Sequence, residues 1–331
     1  MKIPGGEEIE VTEDTLIVRF PEKRCVVSTS WLNGGYREDL TAVFNHQIPL
    51  AACDTGHLAL FEPVPYLEKA AGIRGLDPKS VAGLLTRAYM RNAAIASESF
   101  RDLSVCAIVT AGVDVNGGRA GDPASYYECN GTCEPVGGTI NIILVVNAAM
   151  PEYAMVRALV TATEAKSAAL QQVMAKSCYS SGIATGSGTD MIAVVTNPAA
   201  GIRLSDAGKH AKLGELIGNA VIRATLEALD RETGLGPDSQ RSVMARLSRY
   251  SVTNEVLWGR VQRLNGSAPQ GLDRVRFLTR LHERSRDPDL VAVTAASLHI
   301  IDEAGWGLLP EEAAGDALIR VTSAGFPNLP G

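Results

Sequence analysis

Three short apolar runs constrain this chain most: VCAIVTA at residues 105–111, TINIILVV at 139–146 and MIAVVT at 191–196. Each is of strand length, rich in β-branched residues and bounded by polar or glycine-rich turns, so each predicts a β-strand. Between the second and third runs, Val156, Leu159, Val160, Thr163, Leu170, Val173 and Met174 recur at helical spacing. They predict one long helix from the Met150-Pro151-Glu152 entry to about Lys176. Leu213, Leu216, Ile217, Val221, Ala224, Leu226 and Leu229 predict a second over 207–230. Upstream, TLIVRF (15–20) and CVVSTS (25–30) flank Pro-Glu-Lys-Arg and read as a hairpin. Asp77-Pro78 reads as the opening of a helix over about 79–90. The expected class is α+β, a mixed sheet layered with long helices.

At 331 residues the chain can form one large domain or two. Beyond Arg231 lysine disappears while arginine stays frequent, and Gly234-Leu235-Gly236-Pro237 reads as a linker. The segments SVMARLSRY, NEVLWGRVQRL, DRVRFLTRLHERS and PEEAAGDALIRV all read as helical. The expected organisation is an α+β domain over 1–230 and a helical extension over 231–331. Net charge is −6 with no basic block, which argues against nucleic acid or an anionic membrane as partner. The run 140–150 is broken by Asn141 and Asn147 and is too short to span a bilayer. MKIPGGEEIE carries no apolar leader, so a cytoplasmic location is expected. The six cysteines are scattered, with only Cys129 and Cys133 close together, and reduced thiols are expected. Asn130-Gly131-Thr132 matches a glycosylation sequon that has no meaning in the cytoplasm.

The stretch SGIATGSGTD at 181–190 has the composition of a phosphate loop. A phosphate loop requires strand, glycine turn, then a helix whose N-terminus faces the anion. Here the order is helix, glycine turn, strand, and the Gly-Lys-Ser/Thr ending is missing. A nucleotide-using enzyme is therefore disfavoured. The run either turns a corner or presents Thr185, Ser187, Thr189 and Asp190 to another ligand.

Six segments, in order, resemble the adenosylcobinamide amidohydrolase family. They are STSWLNGG (28–35), IVTAGV with Gly121-Asp122-Pro123, GTINIILVVN (138–147), ALVTATEAKSAAL (158–170), ATGSGTD (184–190) and AGKHAKLGELIGNAV (207–221). The resemblance implies hydrolysis of the aminopropanol amide of adenosylcobinamide to adenosylcobyric acid, in corrinoid salvage or the remodelling of complete cobamides. The corrinoid is then substrate, and no cofactor is expected. A protein that binds corrinoid without turnover is the alternative. The extension from 231 lies outside the resemblance; it can close over the corrinoid, join chains into a homo-oligomer, or bind another protein.

Amide hydrolysis needs an activated water or side-chain nucleophile, donors for a tetrahedral oxyanion, and a proton for the departing amine. No G-x-S-x-G elbow or HExxH helix is present, so the candidates come from the six segments. His210 is the natural proton-transfer group, with Glu164 or Asp190 as its carboxylate partner. Each also has a structural reading: helix-cap histidine, solvated helix carboxylate, turn aspartate. Asn33, Asn116, Asp122, Thr139, Asn141, Lys166, Thr185, Ser187, Thr189 and Lys209 are the expected substrate contacts. Arg119 reads as a solvated loop residue rather than a ligand contact, and Asn147 equally as a satisfied core amide or a donor to the corrinoid's amide side chains. His46, Asp54 and His57 form a loose polar group whose spacing fits no standard metal motif, and no metal is expected. Gly138-Thr139 is where a self-cleaving amidohydrolase would expose a threonine nucleophile; a strand-start threonine is the simpler reading.

Overall fold

The computed structural model describes residues 1–3, 5–48, 62–124, 139–263 and 272–325. The chain divides into two compact units, Met1–Gly236 and Pro237–Gly331.

The first unit is built on two sheets. One has the order β1 (Glu8–Val11), β2 (Thr15–Arg19), β5 (Ala42–Gln47), β6 (Val81–Thr86). The other runs β4 (Gly35–Arg37), β3 (Cys25–Ser28), β12 (Met191–Thr196), β10 (Ile140–Val146), β8 (Leu103–Ala111), β7 (Ala94–Phe100). β5 and β6 are parallel across the crossover helix α1 (Pro63–Ile73), and β10 and β12 are parallel across α2 (Glu152–Gln172). The remaining pairs in these two sheets are antiparallel.

The period-2 alternation of each central strand sorts its residues between two cores. On β10, Ile140, Ile142, Leu144 and Val146 pack with α2 and α3 (Lys212–Thr233), whereas Ile143 and Val145 face the other sheet. On β8, Val105, Ala107, Val109 and Ala111 take the helix side, and Cys106 and Ile108 the sheet side. Phe44 and Gly83 share the α1 face of the smaller sheet; a Cβ on Gly83 would lie 2.6 Å from the Phe44 ring, so only glycine fits. The first unit is thus four-layered, α1, sheet, sheet and the α2–α3 pair. Strands with both faces covered can afford no polar side chain without a partner, which accounts for the three apolar runs.

Three local expectations are corrected. The segments 15–20 and 25–30 do not form a hairpin: β2 pairs with β1 and β5, and β3 with β4 and β12, in separate sheets. Pairing with partners distant in sequence overrides adjacency. Residues 79–90 are not a helix. Asp77 does cap a turn, its carboxylate accepting from Lys79 N at 3.1 Å, but the turn spans only Pro78–Ser80 and the apolar run that follows is β6. A short apolar run is ambiguous between strand and helix until its neighbours are known. On α2 the buried face is alanine-rich (Ala154, Met155, Ala158, Ala162, Ala165, Ala169), while Val156 and Val160 are 50% and 54% exposed. The small side chains let α2 lie close to β12, where Thr196 Oγ1 meets Met155 Sδ at 3.4 Å.

The second unit is helical: α4 (Pro237–Gln240), α5 (Val243–Leu247), α6 (Asn254–Arg263), α7 (Arg274–Arg284), α8 (Pro288–Gly305) and α9 (Glu311–Gly325). Asp273 and Asp287 cap α7 and α8 through backbone amides at 2.8 and 3.0 Å. A buried Arg249–Asp302 pair (2.6 Å), with Tyr250 Oη donating to the same carboxylate at 2.5 Å, ties α8 to the turn after α5.

Candidate active site

The two polar loops of the first unit meet. Residues Gly117–Gly118 (β9) pair antiparallel with Gly186–Ser187 (β11), joining the turn after β8 to the glycine run. A Cβ on Gly117 would stand 2.7 Å from the Val113 carbonyl oxygen, so the tight turn from Val113 to Gly117 explains the glycine there. Ala120 N donates to Thr185 Oγ1 at 2.9 Å, and Ser167 Oγ on α2 donates to the Thr185 carbonyl at 3.0 Å.

Beneath this ribbon Lys166 and Asp190 form an ion pair, with side chains only 7% and 14% exposed. Lys166 comes from the inner face of α2, and Asp190 from the residue before β12. Asp190 is held by further donors: Ile140 N at 2.9 Å, Ser187 N at 3.1 Å and Ser187 Oγ at 2.6 Å. Its acceptor sites are therefore filled, and it serves as an anchor for Lys166 and for the start of β10. A Cβ on Gly186 would lie 2.6 Å from Lys166 Nζ, so the glycine is what lets the loop close over the pair.

Thr139 and Asn141 continue the cluster. Thr139 Oγ1 stands 2.6 Å from the Thr189 carbonyl oxygen and 3.0 Å from Asn141 Oδ1, both acceptors. The amide of Asn141, 1% exposed, donates to Asn45 Oδ1 at 2.7 Å and the Leu85 carbonyl at 2.9 Å. Asn45 in turn donates to Thr110 Oγ1 at 2.8 Å. This chain crosses between the two sheets and fixes which end of each amide points where. Asn45 and Thr110 are absent from the sequence-derived candidates; Asn45 opens the polar run Asn45-His46-Gln47, which does not have the apolar flanks that mark Asn141.

Other expected residues fall around this centre. Asn116 is buried, its Nδ2 about 4.0 Å from the space above Gly188. Asp122 accepts from Arg119 N at 2.8 Å and Ser177 Oγ at 2.5 Å. Burial pushes its carboxyl up, but the hydrogen bonds outweigh this and hold it below the ordinary range. Asn33 uses its amide on the Pro78 and Val81 carbonyls, both at 2.7 Å. Asn147 closes the far end of β10 through Ser104 N (2.6 Å) and the Asp102 carbonyl (2.9 Å).

Glu164 and Lys209 are not in the buried cluster. They pair with each other at 2.9 Å on the exposed side of α2. His210 follows Lys209 in the exposed turn before α3. Among the described residues no hydrogen bond or ion pair joins His210 to Asp190 or Glu164. His46 lies in the smaller sheet, with Nδ1 2.8 Å from Thr15 Oγ1 and Nε2 3.4 Å from Tyr66 Oη. Desolvation lowers its basicity, opposed by Asp14. Asp54 and His57 lie outside the described residues, as do Cys129, Cys133 and Gly138. Among the described residues no metal-ligating group of three or more comes together.

Residues 1–237 match the model of the adenosylcobinamide amidohydrolase family. An uncharacterized protein of Methanocaldococcus jannaschii is 37% identical over 246 residues, covering 70% of this chain and 92% of its own length. The adenosylcobinamide amidohydrolase of Methanosarcina mazei is 31% identical over 163 residues, 49% of this chain and 67% of its own. A Pyrococcus horikoshii protein of known crystal structure aligns over 76% of this chain and 88% of its own, at 13% identity and a TM-score of 0.32, too low to establish a shared fold. With its first 237 residues matched end to end in one family model, the chain belongs to the adenosylcobinamide amidohydrolase family.

Proposed function

We propose that this chain hydrolyses the aminopropanol amide of adenosylcobinamide, a non-peptide C–N bond, releasing adenosylcobyric acid for corrinoid salvage or remodelling. Family membership supports the substrate class. The observation that carries the site is the nearly buried Lys166–Asp190 pair beneath Gly186, next to the Thr139 hydroxyl and between loop amides. Such a centre supplies what amide hydrolysis requires. The Lys166 ammonium is a fixed positive charge for the developing oxyanion, and the low-dielectric setting magnifies its effect. Asp190, saturated with donors, keeps that charge in place. The nucleophile is water or the Thr139 hydroxyl, whose proton has two acceptors within 3.0 Å, the Thr189 carbonyl and Asn141 Oδ1. His210 and the Glu164–Lys209 pair form an exposed group suited to exchanging protons with solvent and the departing amine.

No helix among the described residues is long and apolar enough to cross a membrane. The test is incubation with adenosylcobinamide and chromatographic analysis. Adenosylcobyric acid is the expected product, and its absence with folded protein that still binds cobinamide would show a binding protein instead.

A further inference from the structure

Trp31 is 44% exposed, yet it stands on a tightly held turn. Ser30 and Leu32 on either side are buried. Ser30 N donates to Ser28 Oγ and Ser30 Oγ to the Leu32 carbonyl, each at 3.0 Å. The Leu32 carbonyl also receives Gly83 N at 3.3 Å, and Asn33 is fastened to the strand entering β6. Asn33 (φ 54°) and Gly35 (φ 84°) take left-handed backbone, and a Cβ on Gly34 would collide with the Ser30 carbonyl oxygen. The backbone, the serine hydroxyls and the Asn33 amide hold this turn; the indole contributes nothing to it that the hydrogen bonds require.

The register gives its location. β3 and β12 pair Ser28 with Ala193, and Thr29 N donates to the Ile192 carbonyl at 3.0 Å while Ile192 N donates to Thr29 Oγ1 at 3.0 Å. Ile192 stands two residues after Asp190, so the turn that begins at Thr29 leaves β3 beside the start of β12. Neighbouring strands lie about 4.8 Å apart, so the turn carrying Trp31 borders the strand end that carries the Lys166–Asp190 pair.

A single exposed aromatic is common on protein surfaces. A rigid turn that holds one beside a buried charge pair is a preformed platform. We propose that Trp31 is a substrate-binding residue, on whose indole face the flat conjugated part of the corrinoid lies while its amide arm reaches Lys166. This rests on the corrinoid reading of the site. Indole offers a large, polarisable face at little cost in conformational freedom.

The experiment titrates full-length wild type, Trp31→Phe and Trp31→Ala with adenosylcobinamide and with cyanocobinamide, following tryptophan emission, and measures steady-state hydrolysis of adenosylcobinamide. Corrinoids absorb where indole emits, and the other tryptophans, Trp258 and Trp306, lie in the second unit. Wild-type emission is expected to quench on binding, and the concentration dependence of the quench in each variant gives its affinity. Trp31→Ala is expected to raise KM about tenfold with a far smaller change in kcat, consistent with one stacked aromatic, and Trp31→Phe to recover most of the loss. A loss of affinity for both ligands in Trp31→Ala supports the corrin ring on the indole; a loss for the adenosyl form alone overturns that and places the adenine there. An unchanged KM in Trp31→Ala while wild type turns over overturns the platform and leaves the hydrolase reading intact. A loss of corrinoid affinity in Trp31→Ala, with no hydrolysis by wild type, sustains the platform and removes the hydrolase reading. Neither binding nor turnover in wild type removes both.

Discussion

At the residue scale the two members of the central ion pair are unequal. Asp190 keeps three other donor contacts if Lys166 is removed, whereas Lys166 without Asp190 is a buried charge lacking its carboxylate. Asp190→Ala is therefore expected to cost about 3–5 kcal/mol of stability, read by urea denaturation. Lys166→Met is expected to leave the fold largely intact and lower kcat about 10²–10³-fold, the scale of losing one oxyanion donor. A Lys166→Met variant with wild-type kcat would remove Lys166 from the chemistry. Gly186→Ala forces a methyl into the same space and is expected to reduce kcat at least tenfold. His46 carries a separate expectation. Its folded-state basicity is depressed by burial below the ordinary value of 6.5, so the unfolded chain binds the proton more readily. Stability from the neutral ring is then fully present above about pH 6.5 and is lost as pH falls below it. The melting temperature of wild type is expected to fall between pH 7 and pH 5 more steeply than that of His46→Gln. Parallel slopes would show that His46 does not govern this window. The site was partly legible at this scale: polar residues interrupting apolar strands, such as Asn141, marked the buried network, whereas Asn45, at the head of the polar run Asn45-His46-Gln47, carried no such signal.

At the element scale, α2 shows what periodicity conveys and omits. Its existence and approximate ends followed from spacing, but its inward face did not. Valine is more apolar than alanine, yet the buried face is mostly alanine, with Met155, Lys166 and Leu170 as its large side chains. Ala158→Leu, at a fully buried position, is expected to destabilise by about 1–3 kcal/mol through overpacking. Val160→Lys on the exposed face is expected to change stability by less than about 0.5 kcal/mol. Chemical denaturation of both variants checks the assignment, and equal effects would contradict it. The same helix carries Lys166 inward and Glu164 outward, two residues apart and on different faces. The resemblance singled out both residues, and helix geometry puts Lys166 in the buried pair and Glu164 in the exposed pair with Lys209.

At the scale of the whole molecule, the family match over residues 1–237 coincides with the compact unit Met1–Gly236. A chain truncated after Gly236 is expected to unfold cooperatively and to retain adenosylcobinamide hydrolysis within about tenfold of the full chain. A soluble but inactive fragment would show that the helical unit takes part in the reaction.

The sequence by itself determined the strands that became β8, β10 and β12, because residues buried on both faces must be apolar throughout. It also determined the order of helix, turn and strand around SGIATGSGTD, which disfavours a phosphate loop of the strand–turn–helix kind. Only the tertiary structure decided that β2 and β3 enter different sheets, that Gly117–Gly118 pairs with Gly186–Ser187, and that Lys166 reaches Asp190 across 24 residues. Those outcomes depend on partners brought together by burial of two cores. A local pattern records whether a residue is apolar, and the contact that buries it is settled elsewhere in the chain.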